Sequence, residues 1–374
     1  MTIGIDMVGT SLESGTKTYN LNFLKYLSEV RINEQIYIFI SKHYLSEISE
    51  INHPKIKYIV KSNLFSNIFF KLLWMQFLLP LELKKLKVKK FYSPMNFGPL
   101  FLGFFKIKLI LALHSNLPWI FFEKMPGNLF RNFLTKVIME LSIRACNILI
   151  VNSNFAKKEI INSLNLDEKK VFVIYLGIES KYLDITNLDY LNNFHYKNYI
   201  LSVLSCVRYH NIINLLKAFK LLKKEKKTDL TYVIVLQVLD NKYFLEIQNY
   251  IKNNLNEGEI IFLHNLKSNH LVNLYRKANF YLFSSYCEVF GLTSLEAMSQ
   301  GCPVLISNNS ALPEINGDAV EYFDPDDVIQ IKKKMSEIIS NKNYRQKLIM
   351  KGNIHFKKFN WKKTLEETVK LLNI

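Results

Sequence analysis

Residues 284–307 read SSYCEVFGLTSLEAMSQGCPVLIS, and the organisation of the whole chain follows from them. They set Glu288 and Glu296 on either side of Gly291, with the hydroxyl residues Thr293 and Ser294 between. FYLFSS reads as a buried strand, residues 286–293 as a loop, SLEAMSQ as a short helix ended by Gly301, and CPVLIS as the next strand. Glu288 then lies at the carboxyl end of a parallel strand, where open α/β sheets bind their ligands. Gly291 lets backbone amides approach a ligand, and the helix N-terminus behind it favours phosphate. Glu296, in the first turns of that helix, is placed to meet hydroxyls such as those of a ribose. Taken alone, each acid reads as a solvated loop residue or a helix-start residue facing the dipole. The functional reading gains because both acids share one strand–loop–helix–strand unit with Gly291, Gly301 and Pro303.

The same alternation runs along the chain. IYIFI, KLILAL, ILIVNS, VFVIYLG, YILSVL, YVIVLQV and IIFLH are continuous apolar runs of the kind buried in parallel sheets. Between them lie helical patterns such as TYNLNFLKYLSEV, NLFRNFLTKVIMELSIRA, NFAKKEIINSL and IINLLKAFKLLKKE. Strands alternating with helices predict an α/β chain with βαβ crossovers. The pattern fades between Glu179 and Asn198, which is polar and Asn-rich, and restarts at Tyr199. Two domains are therefore expected, 1–180 and 198–355. The last segment, 356–374, is an amphipathic helix with no strand after it, free to pack back on the first domain.

At 374 residues the chain exceeds one ordinary core, and its 49% hydrophobic content fills two and excludes a disordered protein. The formal charge of +17 favours anionic partners: nucleic acid, lipid headgroups or phosphorylated substrates. Cys146, Cys206, Cys287 and Cys302 show no CxxC and no His at zinc-ligand spacing, so they read as reduced buried thiols of a cytoplasmic protein. The N-terminus lacks a basic, then apolar, leader, and no run reaches the ~20 apolar residues that span a bilayer. DPDD at 324–327 reads as an acidic turn before a helix rather than a metal site.

With these residues in view, the chain resembles the family 4 retaining glycosyltransferases, the group 1 enzymes of the GT-B superfamily. Their signature of two glutamates separated by seven residues, followed by G-x-P-V, corresponds to Glu288, Glu296 and GCPVLIS. LVNLYRKANFYLFSS before it and NSALPEINGDAVEYFDPDD after it are similar to the family's flanking segments. The resemblance implies two Rossmann-like domains with parallel sheets facing across an interdomain cleft. It implies that the C-terminal helix returns to the N-terminal domain. Glu296 would hold the nucleotide ribose, and Glu288 would lie by the donor sugar as a catalytic residue. Phe290, Gly291, Leu292 and Thr293 would line the donor. KLILALHSNLPW is similar to the family's run into an active-site histidine, here His114. SGTKTYNLNFLKYL is similar to its Gly-rich loop, with Gly15 at the turn.

The chain departs from the family in its charges. Where the family offers Arg and, five residues on, Lys to clamp a diphosphate, this chain has Ser205 and His210. A neighbouring anion favours the protonated imidazole, so His210 with Arg208 or Lys17 is expected to clamp the donor diphosphate. Lys17 takes the place of the family's second loop glycine.

The implied reaction moves a hexose from a nucleotide-diphosphate sugar to an acceptor hydroxyl with retention. Catalysis then lies in positioning and in stabilising the leaving diphosphate, and no metal or other cofactor is expected. Residues 61–110 carry nine lysines and one glutamate among Phe, Leu and Trp74. Such a segment reads either as a solvated lysine face or as a contact to anionic lipid. The second reading suits a lipid-linked saccharide acceptor in bacterial surface polysaccharide or lipopolysaccharide assembly, on the inner face of the membrane. Two alternatives stand beside this one: an epimerase or hydrolase of the same fold, and a basic non-catalytic scaffold for membrane or nucleic acid. No nucleic-acid-binding signature is present.

Overall fold

A computed structural model describes residues 2–9, 15–49, 51–183, 198–226, 229–266 and 268–372. Most of the polar stretch read as a domain boundary, residues 184–197, lies outside them, as do residues 10–14 of the Gly-rich loop. The chain divides into two compact units. The first comprises Met1–Trp119, Phe130–Gly177 and Asn360–Ile374; the second comprises Ile120–Leu129 and Ile178–Phe359. The short segment Ile120–Leu129 thus groups with the second unit, although its neighbours in sequence belong to the first.

The first unit is built on β1 (Thr2–Asp6), β2 (Gln35–Ser41), β3 (Ile56–Lys61), β4 (Lys90–Ser93), β5 (Lys108–Leu113), β6 (Ile148–Val151) and β7 (Val171–Val173). They form one parallel sheet in the order β3-β2-β1-β4-β5-β6-β7. β5 is buried from Leu109 to Leu113 because helices cover both faces of such a sheet. The helix Trp361–Leu372 completes this unit. Trp361 is buried, with its ring 5.3 Å from Tyr19 and 6.4 Å from Tyr26 on the helix Gly15–Glu29. Thr364 Oγ1 donates to the carbonyl of Tyr175 at 2.8 Å, and Lys90 Nζ donates to that of Leu372 at 3.0 Å. The backbone at Gly177 comes so close that a Cβ there would sit 2.1 Å from the Trp361 nitrogen.

At the end of β1 lies a buried acid. Asp6 accepts from the Val8 amide at 3.1 Å and from Trp74 Nε1 at 3.3 Å. Burial pushes its carboxyl up to about 7. Buried Lys71 donates to the Gly9 carbonyl at 3.0 Å, and burial lowers its amine to about 8. Together they brace the turn that leaves β1.

The second unit carries β8 (Tyr199–Cys206), β9 (Thr231–Val238), β10 (Ile260–Leu263), β11 (Phe280–Phe283), β12 (Val304–Ser307) and β13 (Glu321–Phe323), parallel in the order β10-β9-β8-β11-β12-β13. β11 and β12 are buried at every residue. Each fully buried Val, Leu, Ile or Phe of these strands contributes about 1.5–3 kcal/mol. The buried hydroxyls of β8 are both satisfied, Ser202 by Tyr232 at 2.7 Å and Tyr199 by the carbonyl of Leu274 at 2.8 Å. The strand order reverses between β8 and β11, and that reversal positions the site.

Candidate functional site

In a doubly wound sheet the two loops leaving the strands at the reversal run in opposite directions and open a crevice. In the second unit these loops follow β8 and β11, and each delivers one side chain to the same point. β8 ends in the single turn Arg208–His210, and β11 runs into the loop carrying Glu288. His210 Nδ1 lies 2.7 Å from the carbonyl of Ser205, and Nε2 lies 3.2 Å from Glu288 Oε1. The carbonyl only accepts, so Nδ1 carries hydrogen. Ser205 therefore enters the site through its backbone, orienting the imidazole. The helices Ile212–Lys226 and Leu292–Ser299 both begin here and bring their positive dipole ends to the crevice, the Ile213 amide donating to the Tyr243 hydroxyl at 3.3 Å.

Glu288 is fixed through its backbone. Its amide donates to Ser310 Oγ at 2.8 Å, and its carbonyl accepts from the Ala311 amide at 3.1 Å. Gly291 caps the following helix at φ +86°, and a Cβ there would meet Leu312 Cδ2 at 2.6 Å. Leu292 and Thr293 are the first two residues of that helix. Phe290, placed by sequence among the donor-lining residues, turns its ring inward: it is buried, edge-on to Phe359 at 5.7 Å. Its side chain anchors the turn, which leaves only its backbone for a ligand.

Glu296, one helical turn further, accepts from the Tyr275 hydroxyl at 3.2 Å and from Tyr182. Burial pushes its carboxyl up to about 7, against the pull of the Lys181 ammonium and with the push of Glu179. The arrangement is a half-buried acid met by two tyrosine hydroxyls, as suits recognition of vicinal hydroxyls. Lys181 and Tyr182 come from the single turn Ser180–Tyr182 and Tyr275 from the helix Ser268–Lys277, and nothing in their local sequence marks them.

Arg208, expected to help clamp a diphosphate, is turned elsewhere. Its Nη1 lies 3.1 Å from Glu246 Oε2, Nη2 holds Glu246 Oε1, and Nε lies 4.0 Å from Asp240. In the acidic turn 324–327, Asp324 Oδ1 takes the Asp326 amide at 2.9 Å, and Asp327 caps the helix Val328–Ser340. Among the described residues no group of three His, Cys, Asp or Glu comes together to hold a metal.

The first unit holds the remaining candidates. His114 follows β5. Its amide donates to Asn96 Oδ1 at 2.6 Å, and its Nδ1 lies 3.2 Å from Asn152 Nδ2. An amide nitrogen donates, so Nδ1 accepts and Nε2 carries the hydrogen. Nε2 is buried without a well-formed hydrogen bond, and the Pro94 carbonyl is an acceptor close to the ring. Burial lowers the imidazole to about 4, so it stays neutral near pH 7. His114 is thus built as a hydrogen-bond donor rather than a proton shuttle. Gly15 opens the helix Gly15–Glu29, and Lys17 on that helix pairs with Glu47 at 2.7 Å.

Comparison with known proteins agrees with this geometry. Residues 186–355 match the family described as Glycosyl transferases group 1. Over its whole length the chain is similar in fold to sucrose-phosphate synthase from Thermosynechococcus elongatus (TM-score 0.77, 16% identity, 100% of this chain and 98% of that one). It is similarly close to Anabaena HepE in complex with UDP and glucose (TM-score 0.75, 15% identity, 100% and 99%). The two parallel α/β units are those of the GT-B fold, and the matched residues 186–355 take in most of the second unit. Among curated relatives, the O-antigen chain mannosyltransferase B of Escherichia coli is 28% identical over 233 residues, 61% of each chain. The matched part thus spans about three fifths of that relative's length.

Proposed function

We propose that this chain is a retaining hexosyltransferase of surface polysaccharide synthesis. It takes a sugar from a nucleotide-diphosphate donor and places it on a saccharide hydroxyl. The observation that carries the reading is the convergence of His210, Glu288 and two helix N-termini where the second sheet reverses, with Glu296 one turn behind. In the proposed reaction the acceptor oxygen bonds to the anomeric carbon on the face the diphosphate leaves. The C–O bond to phosphate breaks, and the acceptor's proton passes to the departing phosphate. The protein contributes position and charge. Glu296 holds the ribose, the backbone of Gly291, Leu292 and Thr293 meets sugar and phosphate, and His114 offers its Nε2–H as a hydrogen-bond donor. No metal or cofactor is needed in this scheme, because His210 and the helix dipoles face the phosphates.

Mannose is the first donor sugar to test, since the matched curated relative is named a mannosyltransferase. A thermal-shift panel of UDP-, GDP-, ADP- and CMP-sugars, with EDTA in parallel, is expected to show one base stabilising the protein without metal. Product analysis then follows, with and without a saccharide acceptor. A panel in which no nucleotide sugar shifts the melting curve would overturn the proposal, and consumption of donor without acceptor would favour the hydrolase or epimerase.

The first unit adds a reason to place the acceptor on a lipid at the inner face of the membrane. Phe104 is 85% exposed, Phe69 70% and Phe77 62%, and Lys84, Lys85, Lys87 and Lys106 share the same segment. Among the described residues no helix is long and apolar enough to cross a membrane. Apolar anchors beside lysines suit the surface of an anionic bilayer instead.

A further inference from the structure

We infer that the first unit carries a site for the phosphate headgroup of an anionic membrane lipid, at the amino end of its sheet and held by Lys106, Lys108 and Asn147. The inference rests on the membrane-surface reading above and narrows it from a patch to a pocket. It concerns neither the donor crevice nor His114.

The sequence concentrates charge of one sign here. Residues 83–122 contain seven lysines and no Asp or Glu. The acids on the flanking helices are already paired, Glu82 with Lys61 at 2.5 Å and Glu140 with Arg144 at 2.9 Å. Burial lowers the Lys90 amine, and the neighbouring Lys108 ammonium lowers it further. Positive charge is thus left unbalanced on this surface, and an anion relieves it.

A cavity of about 340 Å³, the size of a ligand cleft, opens between the turn Leu102–Phe105, the start of β5 and the end of the helix Leu129–Ala145. Leu100, Ile107 and Ala145 give it apolar walls, while Lys106, Lys108 and Asn147 supply donors. Asn147 Oδ1 accepts the Leu109 amide at 2.9 Å, which fixes the carboxamide and leaves Nδ2 as a donor. No carboxylate lines the cavity, and among the described residues neither ammonium has an ion-pair partner. Lys106 holds φ +56°, a left-handed position that glycine or asparagine more often takes at the end of such a turn. Two compact cations and an amide, with no anion of their own, suit a phosphate ester. The cavity lined by Lys220, Lys223 and Lys224 in the second unit differs, because it contains Glu259, which Lys223 meets at 3.4 Å.

The rim assigns the phosphate to a lipid. Phe101 and Phe104 are exposed, their rings 6.1 Å apart, and Leu141, one helical turn before Ala145, is exposed as well. Lys84 Nζ lies 5.5 Å from the centre of the Phe105 ring. Apolar side chains interleaved with lysines match the boundary between headgroups and acyl chains. β5 then carries the chain about 20 Å from this cavity to His114. A headgroup bound here therefore anchors the chain and is not itself the acceptor.

The test titrates the full chain in parallel with dihexanoyl phosphatidic acid, a soluble lipid, with inorganic phosphate, and with dihexanoyl phosphatidylcholine. Wild type is expected to bind the phosphatidic acid saturably and at least about tenfold tighter than the other two, because phosphate and apolar ester are then both held. Asn147→Asp keeps an oxygen for the Leu109 amide but sets a carboxylate against the phosphate, and should lose about tenfold or more in affinity. Gly103→Leu alters no charge. A Cβ at Gly103 meets nothing within 4 Å, so the variant is expected to fold, narrow the cavity and bind more weakly. Lys57→Ala, exposed on β3, changes the net charge as Asn147→Asp does and should leave binding unchanged. Melting curves check that all three variants fold.

Flotation on phosphatidylcholine vesicles, with and without phosphatidic acid, forms the second arm, and both cavity variants should float less than wild type. Three results would each overturn the inference while leaving the membrane-surface reading in place. They are no saturable binding of the short-chain lipid, inorganic phosphate bound as tightly, and cavity variants that bind like wild type or lose no more than Lys57→Ala. A wild type that floats on neither vesicle takes the membrane-surface reading down with the inference, while the thermal-shift panel still decides the donor site separately.

Discussion

Glu296, proposed above to hold the ribose, is a burden on the stability of the chain. Its carboxyl is held near 7 by burial, so between about pH 4.5 and 7 the folded chain retains a proton that the unfolded chain has released. Stability accordingly declines as pH rises through that window, and the deficit is complete above it. Glu296→Gln should raise the melting temperature at pH 8 by a few degrees, on the order of 1–2 kcal/mol, and leave it unchanged at pH 4. The same variant should weaken donor binding; an unchanged melting temperature at pH 8 would show that the carboxyl is not strained. Asp6 shares the sign, being likewise pushed up to about 7. His114, already neutral, makes a different prediction. His114→Ala should lower kcat by about a hundredfold, with pH profiles of wild type and variant running parallel from about pH 5 to 9.

The two glutamates and both histidines could be picked from the sequence because each sits next to a strand end or a glycine. Their partners could not. Tyr275 and Tyr182 are two of 20 tyrosines, and only the fold carries them to Glu296. The inward turn of Phe290 follows from Phe359, 69 residues later in sequence, which no local pattern reveals.

Among elements, the turn at Gly291 is the least replaceable. Its φ of +86° already disfavours any side chain, and Leu312 occupies the place a methyl would need. Gly291→Ala should cost about 2–4 kcal/mol, combining backbone strain with overpacking. It should also displace Glu288 and Glu296 together, so donor affinity is lost even below the melting temperature. Retained affinity in a folded Gly291→Ala chain would show that the turn does not set the site.

The strands that were plain in the sequence are those covered on both faces, such as β8, β11 and β12. Those that were not have a physical excuse. β3 is an edge strand whose IKYIVK is buried only at Ile56, β4 is four residues opening with lysine, and β13 is three residues long. β1 is TIGID, with a glycine in its middle and a buried acid at its end. Short or half-covered strands leave too few apolar residues to stand out against loops.

For the molecule as a whole, charge and exposed aromatic surface predict behaviour at lipid. Liposome flotation should recover the chain with vesicles containing anionic lipid and release it as salt rises. Replacing Phe69, Phe77 and Phe104 by Ser should reduce recovery without lowering the melting temperature, because these rings are exposed. Equal recovery on neutral and anionic vesicles would count against the electrostatic part of that contact.

The helix Trp361–Leu372 seals the first unit, although some 180 residues of the second are synthesised before it. A nascent chain paused anywhere in that interval exposes Tyr19, Tyr26 and the backbone at Gly177 without their cover. The first unit therefore completes its packing only once the helix Trp361–Leu372 has emerged from the ribosome, after nearly all of the second.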